Sequence, residues 1–197
     1  MLSDRFARQI EFIMEVDKLK GVERMTLLTD GSRRENSVEH SWHVALMVLI
    51  LSEYAAGEQI NTFRVMKMLL LHDLVEIDAG DTYCYDAQGI LDQAARERRA
   101  ADRIFNLLPP DQASEFRALW EEFEARRTPE AAFAAALDRL QPLMHNFHTN
   151  GRVWRENHIR QEQVRERMRP ISVGAPCLWE YAVALIEEAM KKGFLAT

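Results

Sequence analysis

The stretch LLLHDLVEIDAGD, residues 69–81, decides how this chain is read. Three leucines lead into His72, and four carboxylates, Asp73, Glu76, Asp78 and Asp81, then fall within nine positions. If the segment is a helix, its C-terminal end already carries partial negative charge from unpaired carbonyls. Clustered carboxylates are repelled there, and Lys or Arg is the usual choice. The segment therefore asks for a cation from elsewhere: a bound metal ion or arginines from another part of the fold. Failing both, water around an exposed turn must screen it.

Outward from this stretch the apolar pattern is helical throughout, and no segment alternates with period two. A first helix starts at Ser3 or Asp4, places Phe6, Ile10, Ile13 and Met14 on one side and ends near Gly21. A charged loop spans residues 23–36, and Ser37 caps a second helix from Val38 to about Ala56. The third runs from Asn61 or Thr62 through Glu76 and stops at the Ala79, Gly80 turn. Segments 88–108 and 111–127 follow, separated by Pro109 and Pro110. Thr128 and Pro129 then serve as N-cap and first helical residue of a helix over 130–147. Residues 157–168 and 177–192 complete a set of about eight helices, an all-α chain without repeats or a dividing linker. With 197 residues this reads as one domain, 1–197.

Composition narrows the function classes. The chain is 47% hydrophobic and 28% charged, as globular proteins are. Its most apolar run, Val44 to Leu51, is far shorter than the roughly 20 residues of a membrane span. The N-terminus mixes Asp4, Arg5, Arg8 and Glu11 among apolar residues, unlike a signal peptide. Cys84 and Cys177 show no paired or CxxC spacing, which fits a reducing, cytoplasmic setting. A formal net charge of −6 argues against nucleic acid as a partner, because backbone binding needs a basic surface. Residues 151–170 run the other way, with six arginines against three glutamates. That stretch is either a local anion site or a solvated helix face laced with Glu–Arg pairs.

Histidine and aspartate are poor helix formers and poor core residues, so several of them on apolar helix faces need a reason. They are His40 in SVEHSWHVAL, the doublet His72–Asp73, and Asp138 in AAALDRLQPL. Taken singly, each has an ordinary reading, a semi-buried histidine or half of an ion pair between Asp138 and Arg139. Two imidazoles and two carboxylates from three helices form a mixed N and O ligand set suited to a divalent first-row metal or magnesium, with positions left for water and substrate.

The order His, then His-Asp, then a distant Asp resembles the HD-domain superfamily of metal-dependent phosphohydrolases. VEHSWHVA, LLLHDLVEIDAGD and ALDRLQPLMHN look like its 5'-deoxynucleotidase branch, and the similarity is strongest over about residues 5–150. The resemblance implies an all-α HD-domain bundle, a homodimer, and hydrolysis of a phosphate monoester such as a 2'-deoxynucleoside 5'-monophosphate. It also implies one divalent ion (Mn, Co, Mg, Zn or Fe) held by His40, His72, Asp73 and Asp138. Glu76 and Asp81 occupy the places of two further acids of that branch, and Arg24 best matches a phosphate-contacting arginine. The family's bulky aromatic after that arginine is replaced here by Met25.

Proton transfer falls to the same acids on physical grounds. Glu76 lies three residues after Asp73, one helical turn from the ion, where it can act as general base or acid. Asp81 is placed to orient water or protonate the leaving oxygen. Asp78 is left facing solvent. His43 reads as a packing residue, His145 as a residue able to face the pocket, and Arg33 or Arg34 as helpers of Arg24 near a helix N-terminus. Two alternatives stay open: a phosphodiesterase or hydrolase of another phosphate ester, and a metal- or nucleotide-binding protein with little turnover.

Overall fold

A computed structural model describes residues 3–57 and 59–196. Its framework is α-helical, with eleven helices among the described residues: α1 (Asp4–Val16), α2 (Ser37–Leu51), α3 (Thr62–Leu71), α4 (Glu76–Ala79), α5 (Ile90–Phe105), α6 (Pro110–Ala125), α7 (Pro129–His148), α8 (Arg152–Glu156), α9 (Gln161–Met168), α10 (Pro170–Gly174) and α11 (Pro176–Lys191). The count exceeds eight because residues 152–174 form three short helices and the third expected helix is broken.

The centre of the fold is α7. Thr128 caps it by accepting from the Ala131 amide at 3.2 Å, and Pro129 opens it, as the sequence signals. Its buried residues run continuously from Phe133 to Gln141, so it is enclosed on all sides. The alanines at 131, 132, 134, 135 and 136 let neighbouring helices come close. The nearest is α10: a Cβ built on Gly174 would stand 2.0 Å from the Ala132 carbonyl oxygen, so only glycine fits. Pro142 sits inside α7 and has no amide to bond the carbonyl of Asp138, four residues earlier.

Three elements depart from the sequence expectation, and two of them shape the site. Residues 23–36 are not a loop but an antiparallel hairpin, β1 (Glu23–Leu27) with β2 (Arg34–Asn36), paired as Glu23 with Asn36 and Leu27 with Arg34 and bulged between. Strands of five and three residues are too short to show alternation. The Asp30–Gly31 turn, with Gly31 at φ +70°, was the available signal. The helix expected to reach Glu76 stops at Leu71, and His72–Val75 continues as a 3-10 turn before α4. In that tighter winding residues three apart eclipse one another, so Glu76 lies over Asp73. The cap of α2 is Asn36 rather than Ser37: its side chain accepts from the Glu39 amide at 3.0 Å, and Glu39 returns the bond to the Asn36 amide at 3.0 Å.

The apolar side of α1 is largely uncovered. Phe12 is its buried residue, while Phe6, Ile10, Ile13 and Met14 are exposed. Exposure continues on α2 and α3, where Trp42, Leu49, Ile50 and Phe63 are each more than half exposed.

The tight α7–α10 crossing makes a direct prediction. Gly174→Ala should force α10 away from α7 and cost about 1–3 kcal/mol, the usual range for overpacking. A chain of this size then melts several degrees lower. An unchanged melting temperature would show that α10 can shift freely.

Candidate metal centre

His40 from α2, His72 and Asp73 from the 3-10 turn, and Asp138 from α7 meet in the core, each at most 7% exposed. The His40 Nε2 lies 3.1 Å from Asp138 Oδ1 and 3.9 Å from Asp73 Oδ2. The His72 Nε2 lies 3.0 Å from Asp73 Oδ1 and 3.7 Å from Asp138 Oδ1. Donors about 2.1 Å from one ion stand roughly 3 Å apart at a right angle, so these separations fit a shared divalent cation.

The hydrogen bonding fits it as well. His72 Nδ1 donates to the Leu69 carbonyl at 2.8 Å, and His40 Nδ1 donates to Gln141 Oε1 at 3.1 Å. Both imidazoles therefore turn Nε2 toward the cluster. His72 Nε2 is buried with no aligned hydrogen-bond partner, an orphan that an ion would satisfy.

The buried charges explain the pKa values. Burial lowers His40 to about 4, with the Arg24 guanidinium adding to it. Burial acts downward on His72 too, but the Asp73 and Asp138 carboxylates outweigh it and push the imidazole up to about 9. Burial works to raise Asp138, yet Arg139 and the two histidines hold it well below the usual carboxylate range. Glu76 is raised well above that range by burial and by the facing Asp73, and Asp81 is raised by burial and the same neighbour. Ser37 Oγ donates to Glu76 Oε2 at 2.6 Å, orienting the carboxyl.

The cation missing from residues 69–81 is Arg24, carried in by β1. Its Nη1 donates to Asp73 Oδ2 at 2.8 Å and lies 3.7 Å from Asp81 Oδ1 and 4.0 Å from Glu76 Oε1. Its Nε lies 3.8 Å from Glu35 Oε2. Arginines from elsewhere in the fold and a metal are thus not alternatives; the geometry has room for both.

Other expected site residues lie elsewhere. Arg33 is at the surface, gripping Glu39 at 2.9 Å, and Arg34 is exposed, because the hairpin turns both away from the cluster. His145 does not face the cavity: Nδ1 donates to the Leu27 carbonyl at 3.0 Å, and Nε2 accepts from the Gln141 amide at 3.1 Å. His43 packs beside it, ring centroids 5.4 Å apart. Asp78 faces solvent as expected, in an exposed pair with Arg103 at 2.8 Å.

The residues that sequence reasoning passed over are Glu35 and Gln141. Gln141 accepts from His40 and donates to Glu35 Oε1 at 2.6 Å, so α7 and β2 together hold the His40 ring. Gln141 was within reach, being three residues after Asp138 on the same helix face. Glu35 was hidden by the unrecognised hairpin. Burial pushes its carboxyl up to about 7, the Arg24 charge and the Gln141 bond opposing.

The cluster opens on a cavity of about 340 Å³. Its walls include Met25, Tyr83, Tyr85, Phe123 and Trp154, beside the acids and arginines. Removing the support of His40 should loosen metal binding: Gln141→Leu keeps the volume but cannot accept the Nδ1 proton. Affinity for Mn²⁺ should fall roughly 10–100-fold, as for other partners of metal-ligating histidines. Competition against a chromophoric chelator measures this, and an unchanged affinity would mean that His40 is oriented otherwise.

Comparison with known proteins agrees with this geometry. A family model described as HD domain matches residues 16–179. The 5'-deoxynucleotidase HDDC2 of Bos taurus is 30% identical over 145 residues, 73% of this chain and 69% of that protein. The Homo sapiens protein of the same name is 29% identical over 136 residues, 68% and 65% of the two chains. The chain thus spans about two thirds of the length of these relatives. A crystal structure described as a predicted metal-dependent phosphohydrolase from Magnetospirillum magnetotacticum MS-1 matches over the whole of both chains, with 52% identity and a TM-score of 0.95. With the family model and this structural match in agreement, the chain belongs to the HD-domain family.

Proposed function

We propose that the protein releases phosphate from (deoxy)nucleoside 5'-monophosphates in a metal-dependent reaction. It is a metal-dependent phosphohydrolase by its family and its relatives. The nucleotide substrate is supported by relatives named 5'-deoxynucleotidase. The observation that carries the reading is the pair Glu76 and Asp81, two carboxyls with raised proton affinity, lining the same cavity as His72, Asp73 and Asp138.

His40, His72, Asp73 and Asp138 would hold the divalent ion. When bound, such an ion lowers the pKa of water and polarises a phosphoryl oxygen. The chain's own groups do the rest. Glu76, steadied by Ser37, takes the proton of the attacking water. Asp81 gives a proton to the leaving sugar oxygen. Arg24 holds Asp73, Glu76 and Asp81 at fixed separations, so the acids need no reorganisation as charge develops. A cavity of about 340 Å³ suits a small ligand, and Tyr83, Tyr85 and Phe123 offer flat faces for a base where Met25 does not.

The same reading includes a homodimer. Trp42, Leu49 and Ile50 on α2 and Phe63 on α3 leave a helix that is apolar on every side half uncovered, and a second copy would cover it. Nucleic acid has no part in it, given the net charge of −6. Among the described residues no helix is long and apolar enough to cross a membrane. Unpaired Cys84 and Cys177 support a cytoplasmic setting.

A phosphate-release screen of nucleoside monophosphates with added Mn²⁺, Co²⁺, Mg²⁺ or Zn²⁺ tests the reading, and preferential hydrolysis of cyclic nucleotides would replace it with a phosphodiesterase. Asp73→Ala should lose metal and turnover together. Glu76→Gln should keep the metal while the catalytic rate constant falls roughly a hundredfold. Normal turnover in that variant would move the proton role to Asp81. Leu49→Glu should give a monomer by light scattering, and a persisting dimer would place the interface on another face.

A further inference from the structure

Phosphate recognition needs cations facing the cavity, and the arginines first expected there are engaged or absent. Arg24 is surrounded by Asp73, Glu76, Asp81 and Glu35, and Arg33 is on the surface. Three other arginines line the cavity: Arg126, Arg139 and Arg167. They also line an outer groove, so they form the wall between it and the metal centre. Among the described residues neither Arg126 nor Arg167 has a carboxylate within 4.0 Å. Arg139 is 8% exposed, and its Nε is buried without any hydrogen-bond partner. Its Nη1 lies 2.6 Å from Asp138 Oδ2, while Oδ1 of the same carboxylate faces His40 and His72. The guanidinium is therefore one carboxylate away from the proposed ion.

We propose that Arg126, Arg139 and Arg167 form the phosphate-recognition wall of this cavity, taking the phosphoryl oxygens that face away from the ligand cluster. The proposal rests on the phosphomonoesterase reading and supplies its missing anion contacts. Guanidinium groups are suited to it because their planar fork can grip two phosphoryl oxygens at once. Arg139 is paired with Asp138, while Arg126 and Arg167 have no such partner among the described residues, and a dianionic ester would supply one. Arg126 also holds a left-handed conformation, φ 52° and ψ 32°, at the C-cap of α6, where glycine is the unstrained choice.

The arginine-rich run of residues 152–169 is thereby divided. Arg152 pairs with Glu156, Arg165 with Glu187 and Arg169 with Glu166, so these serve as a solvated, paired surface. Arg167 alone among the six lines the metal-side cavity.

The test is calorimetric titration of metal-loaded protein with inorganic phosphate at fixed salt, beside metal content and melting temperature. Arg167→Gln and Arg126→Gln touch no proposed ligand. Each should weaken phosphate binding roughly ten- to hundredfold, the worth of a charge-assisted hydrogen bond, with metal content unchanged. Arg167→Lys should recover only part of the loss. For a nucleoside monophosphate the same variants should raise KM more than they lower kcat. Phosphate affinity within twofold of wild type in the Arg126→Gln, Arg167→Gln double variant overturns the proposal, as does wild-type protein that binds no phosphate. If wild-type protein binds phosphate through this wall yet turns over no nucleoside monophosphate, the substrate reading fails and the anion site stands. Loss of metal in both single variants would make the arginines supports of the ligand cluster and overturn the proposal as well.

Discussion

Glu35, Asp73, Glu76 and Asp138 are buried, with Asp81 half-buried beside them, and a carboxylate withdrawn from water must be matched by a cation or a proton. Everything around the cavity follows from that requirement. Arg24 is matched to Asp73, Arg139 to Asp138, and Glu76 and Asp81 are left with raised proton affinity because no further guanidinium reaches them closely. A divalent ion held by His40, His72, Asp73 and Asp138 would add two further charges beside these guanidinium groups. The same electrostatics that makes the cluster costly to bury makes it a strong binder of cations.

The fold meets this cost by spreading it over separate supports. The central helix α7 carries Asp138, Arg139 and Gln141, with Pro142 just beyond, and is enclosed by its neighbours. The 3-10 turn places His72, Asp73 and Glu76 in one short arc. The hairpin brings Arg24 from one strand and Glu35 from the other. A chain of contacts runs from His40 through Gln141 to Glu35 and back toward Arg24, so the ligand ring and the fixed cation are held by one network. Networks of this kind are stable when every member is satisfied. Four of the eight buried side-chain atoms without a hydrogen-bond partner among the described residues, His72 Nε2, Arg139 Nε, Arg24 Nε and Glu35 Oε2, lie at or beside the site.

Much of the helical framework was legible before any coordinates. The caps Ser3, Asn61 and Thr128 and the stops around Pro109 and Pro176 act locally, through side chains that bond the nearest free amides or residues that cannot continue a helix. The hairpin was missed because strands of five and three residues are too short to show alternation, which left the Asp30–Gly31 turn as its signal. The break at His72 was also hidden, since Leu74 and Val75 continue the apolar pattern of Leu69–Leu71 without a Gly or Pro to mark a stop. The apolar stripe of α1 was legible but not its exposure, because a stripe says nothing about whether another surface meets it.

The amino-acid sequence by itself determined the helical class, the order His, His-Asp, Asp, and the presence of Glu76 one turn further on and Asp81 beyond the Gly80 turn. Those are properties of spacing along a chain and survive without coordinates. Tertiary structure decided which arginines matter. Arg24, Arg33, Arg139 and Arg167 are alike in sequence, and only folding places one among four carboxylates, one in solvent and two in a cavity wall. Charge acts through distance in three dimensions and through the water excluded around it, and neither is written in the order of residues.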